Sequence, residues 1–287
     1  MKYLFFSGCV TPQKENMYEL SLRKVSEKIG IELIDLDRTN CCGFFVEPVD
    51  YQASVVLGAR NLAIMDEQGL DAVTPCPACF GHLTRVRSTL LENDELRKTV
   101  NQELKEVGKT FVGSSRMKHF MGVLVQDVGI ERIKTTMSRP LSKLKVAPHY
   151  GCHLLKPSSE VHLDNPEDPK LLDSLIEATG TECLDYSEKG LCCGSSAMNV
   201  DRNLSTKITK TKMDSVEKSG ADAIVTVCPA CHVHFDLTAN AILKEKHDIP
   251  VLHYTQLLGL AQGFSPQELG LYENRVPVDK ILELIES

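Results

Sequence analysis

Ten of the eleven cysteines in this 287-residue chain fall into two parallel series. The first is Cys9, then Cys41-Cys42-Gly43, then Cys76-Pro77-Ala78-Cys79; the second is Cys152, then Cys192-Cys193-Gly194, then Cys228-Pro229-Ala230-Cys231. Written as spacing, they read C-x31-CC-x33-C-x2-C and C-x39-CC-x34-C-x2-C. A thiolate is a soft ligand, and an all-cysteine set selects zinc, Cu(I) or iron–sulfur clusters. At a helix start, where each C-x-x-C is expected, peptide N–H groups lower thiol pKa values and favour an anionic centre. Structural zinc and ordinary cubane clusters take four ligands, whereas each series offers five. Two adjacent cysteines in extended chain point to opposite faces, so a pair serving one centre needs a turn, which Gly43 or Gly194 permits. Other readings stay open at this point: a redox disulfide within each vicinal pair, a spectator cysteine beside a four-cysteine site, or a two-zinc structural or interaction protein. Cys183 aligns with Leu33 inside a strand and reads as a core cysteine.

The residues around the motifs repeat too, so a whole structural unit is duplicated. Phe5-Phe6-Ser7-Gly8-Cys9 matches Pro148-His149-Tyr150-Gly151-Cys152, and Asp71-Ala72-Val73 matches Asp222-Ala223-Ile224. In the first half, strands are expected at 2–7, 31–36 and 71–75, with helices from Thr11-Pro12 to about Gly30, from Tyr51 to Gln68 and onward from Pro77. In the second, strands at 144–150, 181–186 and 222–227 alternate with helices at 168–179, 199–219 and 230–245. Alternation of this kind gives an α/β fold with two homologous domains, each a small, mainly parallel sheet with helices, related by a pseudo-twofold duplication. The cysteines then lie just beyond strand carboxyl ends, where such folds collect ligands. The expected divisions are a first domain at 1–92, a helical insertion or linker at 93–143, a second domain at 144–263 and a C-terminal tail at 264–287.

Composition narrows the partners. Hydrophobic residues make up 42% and charged residues 25%, an ordinary globular balance, and the net charge is −7 without a basic run. Nucleic acid is therefore excluded as an expected partner. The apolar stretch at Met1–Phe6 is too short for a signal peptide, and no run approaches the roughly 20 residues that cross a bilayer. A cytoplasmic protein is expected, with its cysteines used as metal ligands.

The doubled motif, with both CCG triplets, resembles the CCG-domain family over residues 1 to about 262, and its short two-repeat form is similar to the B subunits of heterodisulfide reductases. That resemblance implies two noncubane [4Fe-4S] clusters, one held by Cys9, Cys41, Cys42, Cys76 and Cys79, the other by Cys152, Cys192, Cys193, Cys228 and Cys231. It also implies the reaction, an anaerobic step of methanogenesis: reduction of the coenzyme M–coenzyme B disulfide to two thiols. The chain has no G-x-G-x-x-G for a flavin or nicotinamide and no ferredoxin-type C-x2-C-x2-C-x3-C-P. The implied electron donors within the heterodisulfide reductase complex are its C subunit, with ferredoxin-type clusters, and its A subunit, a flavoprotein, or else a membrane cytochrome subunit. Related CCG proteins point to alternatives in which the acceptor is a quinone, a sulfur carrier or another disulfide.

His82 and His234 each lie three residues after the last motif cysteine, one helical turn from a cluster. They are candidate proton or hydrogen-bond donors, against the plainer reading of packed helix histidines. His149, His153, His232 and Lys156 also neighbour motif cysteines and read first as structural or solvent-facing.

Overall fold

A computed structural model describes residues 1–243 and 247–286. Strands β1 (Lys2–Phe5), β2 (Glu32–Asp35), β3 (Ala72–Thr74) and β4 (Met117–His119) form one sheet in the order β2-β1-β3-β4. Strands β5 (Lys145–His149), β6 (Glu182–Cys183), β7 (Ala223–Thr226) and β8 (Val251–His253) form a second in the order β6-β5-β7-β8. Every pairing is parallel. The central strands are buried along nearly their whole length, as helices on both faces require, and edge strand β2 is half-exposed. The duplicated α/β fold expected from the repeats is the fold observed.

Register explains why distant cysteines meet. Phe5 lies opposite Asp35 and Val73, and His149 opposite Thr226. Gly8-Cys9, Cys76, Gly151-Cys152 and Cys228 thus leave the same carboxyl-terminal edge of their sheets. The helices that follow have local causes. Asp50 caps Tyr51–Gln68 by accepting from Ala53 N, and Asp201 caps Arg202–Ser219 by accepting from Asn203 N and Leu204 N. Pro77 and Pro229 open helices directly out of the C-x-x-C turns.

Several elements differ from expectation. Residues 93–143 hold the helix Asp94–Lys105 but also β4, which completes the first sheet as β8 completes the second. Asp66 fastens that segment, its carboxylate accepting from the backbone N–H of Val112, Gly113 and Ser115 and from Ser114 Oγ. The helix expected from Thr11 to Gly30 breaks at Glu15 into Thr11–Lys14 and Asn16–Ile29, because Glu15 turns inward. The helix expected over 230–245 passes through a π-helical stretch, His234–Thr238, before Ala239–Leu243, and its end lies outside the described residues. The C-terminal segment packs Leu269, Leu271, Val278 and Ile281 into the core, and Asn274 Nδ2 donates to Val251 O of β8.

One apolar core runs through both halves, from Phe6, Leu22 and Val25 to Leu257 and Leu258, and a smaller one, with Met213, Val216 and Phe235, underlies the second sheet. Ser21 Oγ and Thr255 Oγ1, 2.7 Å apart, join the halves at a buried point. Among the described residues no helix is long and apolar enough to cross a membrane.

Candidate metal centres

The five motif cysteines of each half form one continuous chain of sulfur contacts. In the first it runs Cys9, Cys41, Cys42, Cys79, Cys76. In the second it runs Cys152, Cys192, Cys193, Cys231, Cys228, the same order position by position. All eleven cysteines are free thiols, so neither vicinal pair is joined as a disulfide. Cys183 stands apart from both sets, beside Asp173, with burial raising its thiol pKa to about 12.

Gly43 and Gly194 make the double-cysteine turn possible. Their φ angles of +103° and +99° belong to the left-handed region. The turn aims Gly194 N at Cys192 Sγ and Ser195 N at Cys193 Sγ, both at 3.4 Å, while Gly43 N and Phe44 N serve Cys41 and Cys42. Cys231 N donates to Cys228 Sγ at 3.4 Å. Hydrogen bonds from Cys41 and Cys79 draw the Cys42 pKa down in the first set; in the second, bonds from Cys152 and Cys193 draw Cys192 down, and Cys231 does the same for Cys228. Their thiol neighbours are pushed up. Five crowded sulfurs cannot all ionise unless cations come among them. With soft donors, inward-pointing N–H groups and little water, each set fits a multi-iron group and exceeds what one zinc needs.

The two sets abut. Tyr18, fully buried, brings its hydroxyl to 3.4 Å from Pro75 O and 3.3 Å from Val227 O, the residues just before Cys76 and Cys228. From the first half Phe44 packs edge-on to His153 of the second, with ring centroids 4.4 Å apart.

His82 and His234 are buried beneath the CCG turns. Ser54 Oγ donates to Gly43 O, which leaves it to accept from His82 Nε2 at 3.2 Å, while Arg85 Nη2 lies 3.2 Å from Nδ1. In the second half His234 Nε2 lies 2.8 Å from Thr209 Oγ1, which itself donates to Cys193 O. Burial lowers the His234 pKa to about 4. Both imidazoles thus brace the double-cysteine turn through a hydroxyl. His149 is buried with neither ring nitrogen hydrogen-bonded and comes within 4.8 Å of the sulfurs of Cys193 and Cys231. Lys156 is exposed, 4.0 Å from Glu167.

A buried polar cluster that the motifs do not announce ties the halves together. Glu15 Oε2 lies 2.7 Å from His253 Nε2 and 3.0 Å from His232 Nδ1. Burial pushes the Glu15 pKa up, but the two imidazoles outweigh it and hold the carboxyl at about 2. The rings of His232 and His253 stack, with centroids 4.0 Å apart and planes 16° from parallel. An ion bound by both would have to lie in both ring planes, which this stacking forbids. The cluster is an interdomain tie.

Burial holds His119 at about 4 and His253 at about 3, below the roughly 6.5 of an unfolded histidine. The unfolded chain therefore binds these protons first. The stability they contribute is present above pH 6.5 and is lost as pH falls toward 4 and then 3. These two protons alone should lower stability by about 2.7 kcal/mol per pH unit between roughly pH 5.5 and 4.5, and His234, held at about 4 by burial, adds to the slope in the same direction. Denaturant midpoints measured anaerobically across that range check this, and His119→Gln should reduce the slope by about 1.4 kcal/mol per pH unit. A flat curve would contradict the buried neutral histidines.

Glu15, Tyr18, His119, Lys212 and His253 were not among the residues marked by the sequence. One signal was available: His119 and His253 close equivalent strands, Met117-Lys118-His119 and Val251-Leu252-His253.

The cysteine-rich CCG domain model matches this chain twice, over residues 3–84 and 146–236. The chain is 36% identical over 283 residues to the B subunit of the ferredoxin:CoB-CoM heterodisulfide reductase of Methanosarcina mazei, covering 96% of this chain and 94% of that one. It is 32% identical to the 8-methylmenaquinol:fumarate reductase membrane anchor subunit of Wolinella succinogenes, covering 98% and 99%. A crystal structure of a hypothetical protein from Helicobacter pylori shares the fold, with a TM-score of 0.75 at 16% identity, over 96% of this chain and 52% of that one. The chain therefore belongs to the CCG family of cysteine-rich domain proteins, in the two-repeat form shared with heterodisulfide reductase B subunits.

Proposed function

We propose that this chain is the catalytic iron–sulfur subunit of a disulfide-reducing complex, with one noncubane [4Fe-4S] cluster in each five-cysteine set. The observation that carries the reading is the continuous five-sulfur chain, built twice and abutting at Tyr18. Cleaving a disulfide to two thiols takes two electrons and two protons. Two clusters would supply the electrons, one each. The protein's own part is to hold the ten sulfurs, to keep water from Cys42, Cys76, Cys79, Cys193, Cys228 and Cys231, all buried, and to brace both CCG turns from His82 and His234. The relatives' names make the coenzyme M–coenzyme B disulfide the first substrate to try. Their designation as B subunits also supports partners within a reductase complex; the partners proposed here are the C subunit with ferredoxin-type clusters, and the flavoprotein A subunit or a membrane cytochrome subunit.

The test is anaerobic oxidation of the reduced protein by that disulfide beside control disulfides, followed by electron paramagnetic resonance. A paramagnetic state with the heterodisulfide alone supports the assignment; a response to none removes it and leaves the cluster reading standing. A quinone-linked role is the second reading, favoured by the near-complete overlap with the Wolinella protein; oxidation by a menaquinone analogue would select it. For His82 and His234 the proposed proton or hydrogen-bond role predicts that His82→Ala and His234→Ala alter the pH profile of turnover. Unchanged profiles in both would end it.

A further inference from the structure

The two centres share a ligand order but not an environment. The helices Tyr51–Gln68 and Arg202–Ser219 occupy equivalent places, and position by position Asn61 of the first corresponds to Lys212 of the second. Both side chains are completely buried. Asn61 is neutral and bonds the chain at Asn40 and Cys41. Lys212 brings a cation to the same place. Its Nζ donates to Glu188 O at 2.7 Å and Lys189 O at 3.0 Å, and lies 4.7 Å from the centre of the Tyr186 ring. Among the described residues no carboxylate is ion-paired with it. Burial draws its pKa down to about 7, and the groups that oppose this are first Cys231 and Cys193, ahead of Glu188.

A second difference points the same way. Where Phe6, just past β1, precedes the first motif cysteine, β5 ends on His149, buried, with both nitrogens unpaired beside Cys193 and Cys231. A buried imidazole without a partner is rare, and this one has an N–H to offer a sulfur. Of the other charges near the motifs, the Glu15 carboxylate lies between the halves against His232 and His253, and Asp236 is turned to the backbone N–H of Arg275 and Val276. Glu47 and Arg85, beside His82 in the first half, neutralise each other, and their counterparts Met198 and Leu237 are uncharged.

We propose that the second centre has the higher reduction potential, because Lys212 and His149 present a buried ammonium and a free imidazole N–H where the first centre meets Asn61 and Phe6. A cluster gains negative charge on reduction. Nearby positive charge and hydrogen bonds to its sulfurs favour the reduced form, more strongly in a dry interior than in water. An electron entering the protein then settles first on the second centre, and the first remains the stronger reductant. The duplication gives two sites, and these two substitutions make them unequal.

This inference rests on the iron–sulfur reading, and one experiment separates the two. Anaerobic potentiometric titration of the full chain, followed by electron paramagnetic resonance, should resolve two one-electron steps. Their equilibria should differ at least tenfold, about 59 mV for one electron. Lys212→Met and, separately, His149→Phe should lower only the upper step, and the Lys212 variant should bring it toward the lower. Iron assayed on the same samples shows whether each variant assembles; should Lys212→Met lose iron, Lys212→Gln and His149→Phe decide. Coincident steps in the unmodified protein, or an upper step unmoved in iron-replete variants, would overturn the inference. Absence of iron from the unmodified protein would instead overturn the reading beneath it.

Discussion

Replacing Cys42 or Cys193 by alanine should empty one centre and leave the other filled. Each is the second residue of a vicinal pair, is buried, and is in contact with both its neighbour and the last cysteine of its C-x-x-C turn. Removing it cuts the sulfur chain in the middle, leaving two ligands on one side and two on the other. Iron and sulfide should fall to about half while the intact half keeps its signal, because the two sets share no sulfur. On the proposed function, disulfide turnover should fall to background, since the second electron has lost its site. Cys183→Ser is the control. It lies outside both chains, and its expected cost is within about 1 kcal/mol with iron unchanged. Retention of full iron in Cys42→Ala and Cys193→Ala would mean that four cysteines suffice and the fifth is a spectator.

Gly43→Ala and Gly194→Ala should do nearly as much damage without touching a ligand. A Cβ on Gly43 would lie 2.5 Å from Ser54 O and 2.9 Å from His82 Nε2; on Gly194 it would lie 2.7 Å from Thr209 Oγ1 and 3.0 Å from Ser205 O. Backbone oxygens of a packed helix cannot move aside cheaply, and φ near +100° adds strain of its own. The expected cost is about 3 kcal/mol or more for each, with loss of iron from the affected half. Gly69 also has positive φ, but its Cβ would meet nothing within 4 Å. Gly69→Ala should therefore lower stability slightly and leave iron untouched. Equal iron loss in Gly69→Ala and Gly43→Ala would show that backbone strain alone, rather than crowding under the turn, governs assembly.

These two experiments concern features that were legible in the sequence, and the reason is chemical. Few side chains can replace a thiolate, so ten cysteines in two matched series declare a site whatever the fold around them. Parallel β-strands separated by helices were legible for a related reason: buried central strands such as β5 and β7 require nearly unbroken apolar runs. Glu15 was not legible, because a carboxylate in a helical pattern normally faces water, and its burial depends on His232 and His253 more than 200 residues away. Strand β4 is three residues long, too short to show an alternation, and its place at the sheet edge comes only from pairing with β3. Lys212 is one of several lysines in the helix expected over 199–219, and only its neighbours Tyr186, Glu188 and Lys189 reveal that it is buried. The sequence thus carried the candidate ligands plainly, and their surroundings came from tertiary contacts.

The most direct test of the central claim is the iron and acid-labile sulfide content of the protein purified without oxygen. Two five-cysteine centres predict about four irons and a comparable amount of sulfide for each half. Two zinc ions per chain and no sulfide would contradict it.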